Sequence, residues 1–196
     1  MPKLKTSWVI LGILVVILLY VWGAYNGFVS KNETVSTTWA QVENQYQRRI
    51  DLIPNLVETV KGYAKHESSV FEAVTTARAQ VGSMTVTPEI LENPTLFKKF
   101  DDAQAGLSSA LSRLFAVAEN YPALKASENF LTLQSQLEGT ENRIATERMR
   151  FNDAVKALNI RIKRFPGNIV AGLFGFSEKA YFEATAGAEN SPEVKF

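Results

Sequence analysis

A chain of 196 residues with a single histidine and no cysteine has few routes to covalent or metal chemistry. Without cysteine there is no disulfide framework, no thiolate metal site, no cysteine nucleophile and no cysteine-borne lipid anchor. A His-based triad would have to be built on His66 alone. Carboxylate metal centres in helical bundles need a Glu-x-x-His pair on each of two helices, so that design is excluded. His66-Glu67 is the one His–carboxylate neighbour pair, and adjacent residues on a helix point about 100° apart. It reads as a solvated face. Asp101-Asp102 falls near a helix start, where negative charge suits the helix dipole. No phosphate loop, nucleophile elbow or H-E-x-x-H motif occurs. The sequence therefore predicts no catalytic residue, no cofactor and no metal.

The polar residues with the most informative spacing lie inside apolar seams. Arg48, Arg49, Asp51 and Asn55 cluster in one helical stretch, and Glu141, Arg148, Asn152 and Asn159 recur along another. Buried charge needs partners, because an unpaired one costs several kcal/mol. These eight residues are expected to form an inter-helix polar network. Such a network sets bundle register or lines a groove for a ligand or partner.

The elements that position them begin with a membrane segment. No charged residue occurs between Lys5 and Lys31, and Trp8 to Ala24 is almost wholly apolar. At about 1.5 Å per residue, residues 8–25 cover a hydrocarbon core of roughly 30 Å. Trp8 marks one interface, and Tyr20, Trp22 and Tyr25 mark the other. The run is long for a signal peptide, and bulky Trp22 spoils a cleavage site at Ala24. An uncleaved single-pass anchor is expected, with 1–7 as a short tail. Gly23 and Gly27 formally match G-x-x-x-G, which is read as a membrane-exit hinge rather than a dimer seam. Lys3 and Lys5 precede the span and only Lys31 follows closely, favouring a cytoplasmic N-terminus and an extracytoplasmic domain. That domain carries one more acid than base, which argues against nucleic acid and offers no polybasic patch for anionic lipid.

Beyond the span the pattern is helical. Apolar residues at Val35, Trp39, Val42, Tyr46, Ile50, Ile53, Val57, Val60, Ala64, Phe71, Val74 and Val81 form one stripe. It predicts a coiled-coil-like helix ending near Gly82, kinked at Pro54, where the Ile50 carbonyl loses its partner. At about 75–80 Å it would outrun its partners and stand partly as a stalk, or pack on a second copy. Asn93-Pro94 reads as N-cap and first position of a second helix reaching about Asn120. Leu96, Phe100, Leu107, Leu111, Leu114 and Ala118 are its expected buried side. Leu137, Ile144, Phe151, Leu158 and Phe165 recur every seven residues in a third helix, which Gly139-Thr140 could break. The predicted fold is all-α: a transmembrane helix, then an elongated antiparallel three-helix bundle, or a four-helix one, over 26–186. Residues 187–196 are expected to be a flexible tail.

The apolar, glycine-rich segment 165–176 stands apart. Pro166, Gly167, Gly172 and Gly175 argue against regular helix. It is read as a cap over the bundle end, or as a partner or lipid surface carried by Phe165, Ile169, Val170, Leu173, Phe174 and Phe176.

The run Arg48-Arg49-Ile50-Asp51-Leu52-Ile53-Pro54-Asn55-Leu56-Val57-Glu58-Thr59-Val60-Lys61-Gly62-Tyr63-Ala64, preceded by Glu33-x-Val35-x-x-x-Trp39 and followed by His66-Glu67, resembles the LemA family. So does Arg161-Ile162-x-x-Phe165-Pro166-x-Asn168-Ile169, with Gly175-Phe176-x-x-Lys179-x-Tyr181-Phe182. The resemblance implies a bacterial membrane protein with an N-terminal span and an all-helical domain. It brings no established activity and no catalytic residues.

The resulting expectation is a non-catalytic membrane-anchored scaffold or adaptor of the bacterial cell envelope, in the plasma membrane. Its expected partners are the bilayer, further copies of itself and other membrane proteins. A membrane-shaping or lipid-organising protein is the alternative, and a small-ligand sensor the third.

Overall fold

The computed structural model describes residues 6–84 and 88–183, so the expected tail 187–196 lies outside the described residues. Among these, all regular structure is helical. Helix α1 (Thr6–Tyr63) contains both the apolar segment and the first half of the stripe as one helix of 58 residues, about 87 Å long. It passes Pro54 without ending. The G-x-x-x-G stretch lies inside this unbroken helix, so the expected exit hinge is replaced by continuous hydrogen-bonded backbone. The apolar side chains from Trp8 to Leu19 are exposed, and one helix among the described residues is long and apolar enough to cross a membrane.

The stripe does not belong to one helix. The chain turns at Ala64–Glu67 and returns as α2 (Ser68–Gly82), with Phe71, Val74 and Val81 buried. Ala64 is fully buried at the corner, where a larger side chain would hold the helices apart. The turn preserves a seven-residue step from Ala64 to Phe71, so periodicity alone reads straight through it. A 3-10 turn (Pro88–Glu92) leads into α3 (Pro94–Ala118), which starts as the sequence predicts: the Asn93 side chain accepts from the amides of Thr95 and Leu96 at 3.0 and 3.2 Å. The buried face of α3 centres on Phe97, Phe100, Leu107, Leu111 and Leu114, whereas Leu96 points outward. A short α4 (Pro122–Lys125) buries Leu124 at the corner before α5 (Glu128–Lys163).

Helix α5 is unbroken. Gly139 sits on its open side, and the Thr140 hydroxyl stays within the helix by donating to the Gln136 carbonyl one turn back at 2.8 Å. It runs antiparallel to α1: Glu141 reaches Arg49, and Arg161 reaches the Ala24 carbonyl. Its 36 residues span about 54 Å, so α1 is covered from near Thr59 down to the membrane exit, with no stalk. Helices α1, α2, α3 and α5 share the membrane-distal core, built on Ile53, Leu56, Val60, Phe71, Leu107, Leu114 and Leu137. A second core near the membrane holds Phe28, Val35, Trp39, Val42, Phe97, Phe151 and Leu158. Segment 165–176 is the other departure. Its centre forms α6 (Gly167–Phe174), ended by Gly175 in the left-handed region at φ 75°. Gly167 is required there: a Cβ would lie 2.8 Å from the Arg161 carbonyl oxygen. Phe165, placed by heptad counting in the seam of the third helix, lies beyond the end of α5 and is 79% exposed.

The carbonyl orphaned by Pro54 has found a donor. Arg78 of α2 places Nε 3.2 Å from the Ile50 oxygen, closing the gap from across the hairpin. Arg78→Met should cost about 1–2 kcal/mol in the full chain. Pro54→Ala, which restores the local amide, should remove most of that penalty. Denaturant titration of the four variants checks the cycle; additive costs would contradict this coupling.

Candidate functional site

Three constructions hold the bundle, two polar and one chiefly aromatic. The first surrounds Arg49, which is 1% exposed at the junction of the two apolar cores. Its guanidinium donates to Glu141 of α5 at 2.7 Å, to Ser108 of α3 at 2.8 Å and to the Gln104 side chain of α3. It also lies 5.2 Å from the centre of the Tyr46 ring. Burial pushes the Tyr46 phenol up to about 12, against the pull of the Arg148 and Arg49 guanidiniums. Arg48, Asp51 and Asn55 stay outside this cluster on the exposed face; Asp51 accepts from Gln47 one turn away at 2.7 Å. Of the eight polar residues singled out by spacing, Arg49 and Glu141 are therefore brought together. Gln104 and Ser108 complete the cluster and carried no signal, because isolated polar residues on a helix are common.

The second construction is a clamp on the segment after α6. Asn159 and Asn152, two turns apart on α5, each present an amide face to one backbone unit. Asn159 donates to the Lys179 carbonyl at 2.9 Å and accepts from its amide at 3.0 Å. Asn152 does the same with Phe182 at 2.9 and 3.0 Å. The Ala180 amide donates to the Leu91 carbonyl at 3.0 Å. Residues 177–183 thus run as a strap along α5, in the direction opposite to it. Phe182 is buried against Trp39, Phe97 and Phe151, with ring centres 4.8–5.9 Å away. Arg148 covers the Phe182 ring at 4.2 Å and pairs with Asp101 at 3.2 Å. Burial raises the Asp101 carboxyl above its usual range, although Arg148 pulls it down. Asp101 therefore serves this ion pair. His66 is exposed, while Glu67 accepts from the Tyr121 hydroxyl at 3.1 Å. Among the described residues no group of His, Asp and Glu is placed to hold a metal.

The third lies where α1 leaves its exposed apolar segment. Val170 and Ala171 bury one side of α6, and Phe176 packs on Phe28 at 5.1 Å between ring centres. Tyr25, at the end of the apolar segment, meets Phe174 at 4.9 Å and Phe176 at 5.8 Å. The other side of α6 is bare: Ile169 is 60% and Leu173 73% exposed. The inner side of the segment caps the bundle end, and its outer side is an open apolar surface. Gly27 lets the Arg161 guanidinium lie flat on α1, over the Phe28 ring at 5.2 Å; a Cβ at Gly27 would meet it at 2.2 Å.

A model described as the LemA family matches residues 38–196, which include all three constructions except the first turns of the exit. The chain belongs to the LemA family. It is also similar to magnetosome proteins MamQ 1 and MamQ 2 of Paramagnetospirillum magneticum (strain ATCC 700264 / AMB-1), each 29% identical over 177 residues. Magnetosome protein MamQ of Magnetospirillum gryphiswaldense is 28% identical over 176 residues. Each alignment covers 81% of this chain and 64% of the relative, so the chain spans about 64% of the length of the curated relatives it matches. The LemA family and these relatives carry no enzymatic name. With the exposed apolar segment of α1, the comparisons support a membrane-anchored LemA protein.

Two predictions follow from the polar constructions of this LemA domain. Arg49→Ala should destabilise it by about 3–5 kcal/mol, since Gln104 is left buried and the junction of the cores is emptied. Glu141→Gln should cost less, about 1–3 kcal/mol, because the buried Arg49 loses its counter-charge while an amide oxygen still accepts from it. Melting of both variants in one detergent tests this order. Combining Asn152→Ala with Asn159→Ala should free the strap, so that trypsin cuts after Lys179 at least tenfold faster. An unchanged cleavage rate would show that the side-chain amides do not hold it.

Proposed function

We propose that this LemA protein is a non-catalytic, membrane-anchored helical scaffold of the bacterial envelope, presenting a rigid bundle at a fixed height and angle above the bilayer. The supporting observation is the continuity of α1 from the apolar segment into the bundle, covered by α5 down to Ala24. A flexible linker would let the domain wander; a helix paired along its length keeps its flanks at defined heights for neighbours. Confinement to the membrane plane raises the effective concentration for partners in that plane. The partners are taken to be further copies or other membrane proteins. Lys3 and Lys5 before the span favour a cytoplasmic N-terminus and an extracytoplasmic bundle.

A second reading, lipid organisation, is favoured by the bare outer face of α6 beside Tyr25, at the height of the headgroups. The absence of native cysteine lets one experiment address both. Single cysteines replace Arg143 on the exposed flank of α5 and Leu173 on α6, in the full chain in membranes. The scaffold reading expects bifunctional cross-linking from position 143 to copies or neighbours. A chain that stays uncross-linked from its flanks would refute it. The lipid reading expects a fluorophore at position 173, and not at position 143, to be quenched by bilayer-embedded bromolipid.

A further inference from the structure

The fold gathers a cationic pocket at the membrane exit that the linear sequence disperses. Lys31 follows the span on α1, while Arg161 and Arg164 end α5, some 130 residues later in the chain and next to it in space. The three line a cavity of about 490 Å³ with Tyr20, Ala24, Ile160 and Phe165, and no carboxylate contributes to its wall. Arg161 is turned toward α1 by its bond to the Ala24 carbonyl at 3.4 Å and by its seat over Gly27. Among the described residues no carboxylate pairs with Lys31, Arg161 or Arg164, although Lys163 beside them is paired with Glu178 at 2.7 Å.

We infer that this pocket holds the phosphate of an anionic membrane lipid, with its acyl chains lying along the exposed apolar face of α1. Two arginines and a lysine supply the charge and the forked donors that phosphate favours. The height is right. Tyr20 to Lys31 covers about 16 Å of helix axis, from inside the expected hydrocarbon edge to the headgroup layer beyond it. The apolar wall of Tyr20, Ala24, Ile160 and Phe165 has no use for a free water-borne anion but fits the glycerol end of a lipid. Phe165, which the bundle leaves 79% exposed, then covers the top of that lipid.

This inference rests on α1 crossing the bilayer. The full chain is reconstituted in nanodiscs of phosphatidylcholine with graded phosphatidylglycerol, and the lipids retained on release into mild detergent are counted by native mass spectrometry. Failure to incorporate would overturn the anchor reading itself. Given incorporation, the wild type should retain phosphatidylglycerol over phosphatidylcholine about tenfold or more. Lys31→Gln with Arg164→Gln should erase most of that preference while leaving Arg161 in its structural seat. Lys65→Gln with Arg113→Gln, exposed cations away from this pocket, should leave it intact. Equal preference in the wild type and the first pair overturns the pocket, as does equal loss in both pairs. Displacement of the lipid by millimolar inorganic phosphate would reassign the site to a free anion and defeat the lipid assignment.

Discussion

Burial of the Arg49 guanidinium is the constraint around which the bundle is organised. It lies where two apolar cores meet. A charge placed there has to find acceptors on α3 and α5 together. Moving α5 by one turn, about 5.4 Å, would carry Glu141 away and break the alignment of acceptors from two helices around the cation. Apolar stripes tolerate such slips, since Leu, Val and Phe recur at every turn. The guanidinium does not, so its value lies more in selecting one register than in net stability.

The strap solves a different difficulty. Near the membrane α2 has ended and α3 reaches the aromatic cluster around Trp39 only with Phe97 and Phe100 of its first turns, which would leave the rest of that cluster open to water. An irregular segment fills the gap, and buried irregular backbone needs hydrogen-bond partners that no neighbouring strand supplies. Asn152 and Asn159 imitate such a strand, each offering one donor and one acceptor to a single residue. Phe182 can then enter the core without exposing its peptide groups to apolar surroundings. The same economy appears at Pro54, where the Arg78 guanidinium supplies the donor that proline lacks.

Much of this was legible in the sequence, and the misses share a cause. Periodicity located the apolar faces, and Asn93-Pro94 located the start of α3, because both signals are local. The loss at the Ile50 carbonyl was also visible, but its remedy, 28 residues away, was not. The turn at Ala64–Glu67 was hidden because the apolar spacing continues in phase across it. Helix α6 was hidden by glycines whose reasons are tertiary: Gly167 makes room for the carbonyl of Arg161. Asn152 and Asn159 stood out as polar residues in a seam. Their partners are backbone atoms, and a peptide group has no identity that spacing can reveal. Counting charge along the chain also does not bring Lys31 and Arg164 together, since they become neighbours only after α5 has returned.

The continuous α1 ties what happens inside the bilayer to what happens well outside it. From Tyr25 to Tyr63 the helix is a lever arm of about 57 Å. Rotating its membrane end by about 10°, within the range that bilayer thickness and neighbouring helices impose, sweeps the far tip sideways by about 10 Å. The bundle would follow as one body, because α5 grips the arm along its length. Changes in lipid thickness would then be felt at the crown of the molecule as displacement, with no signal passing through any binding site.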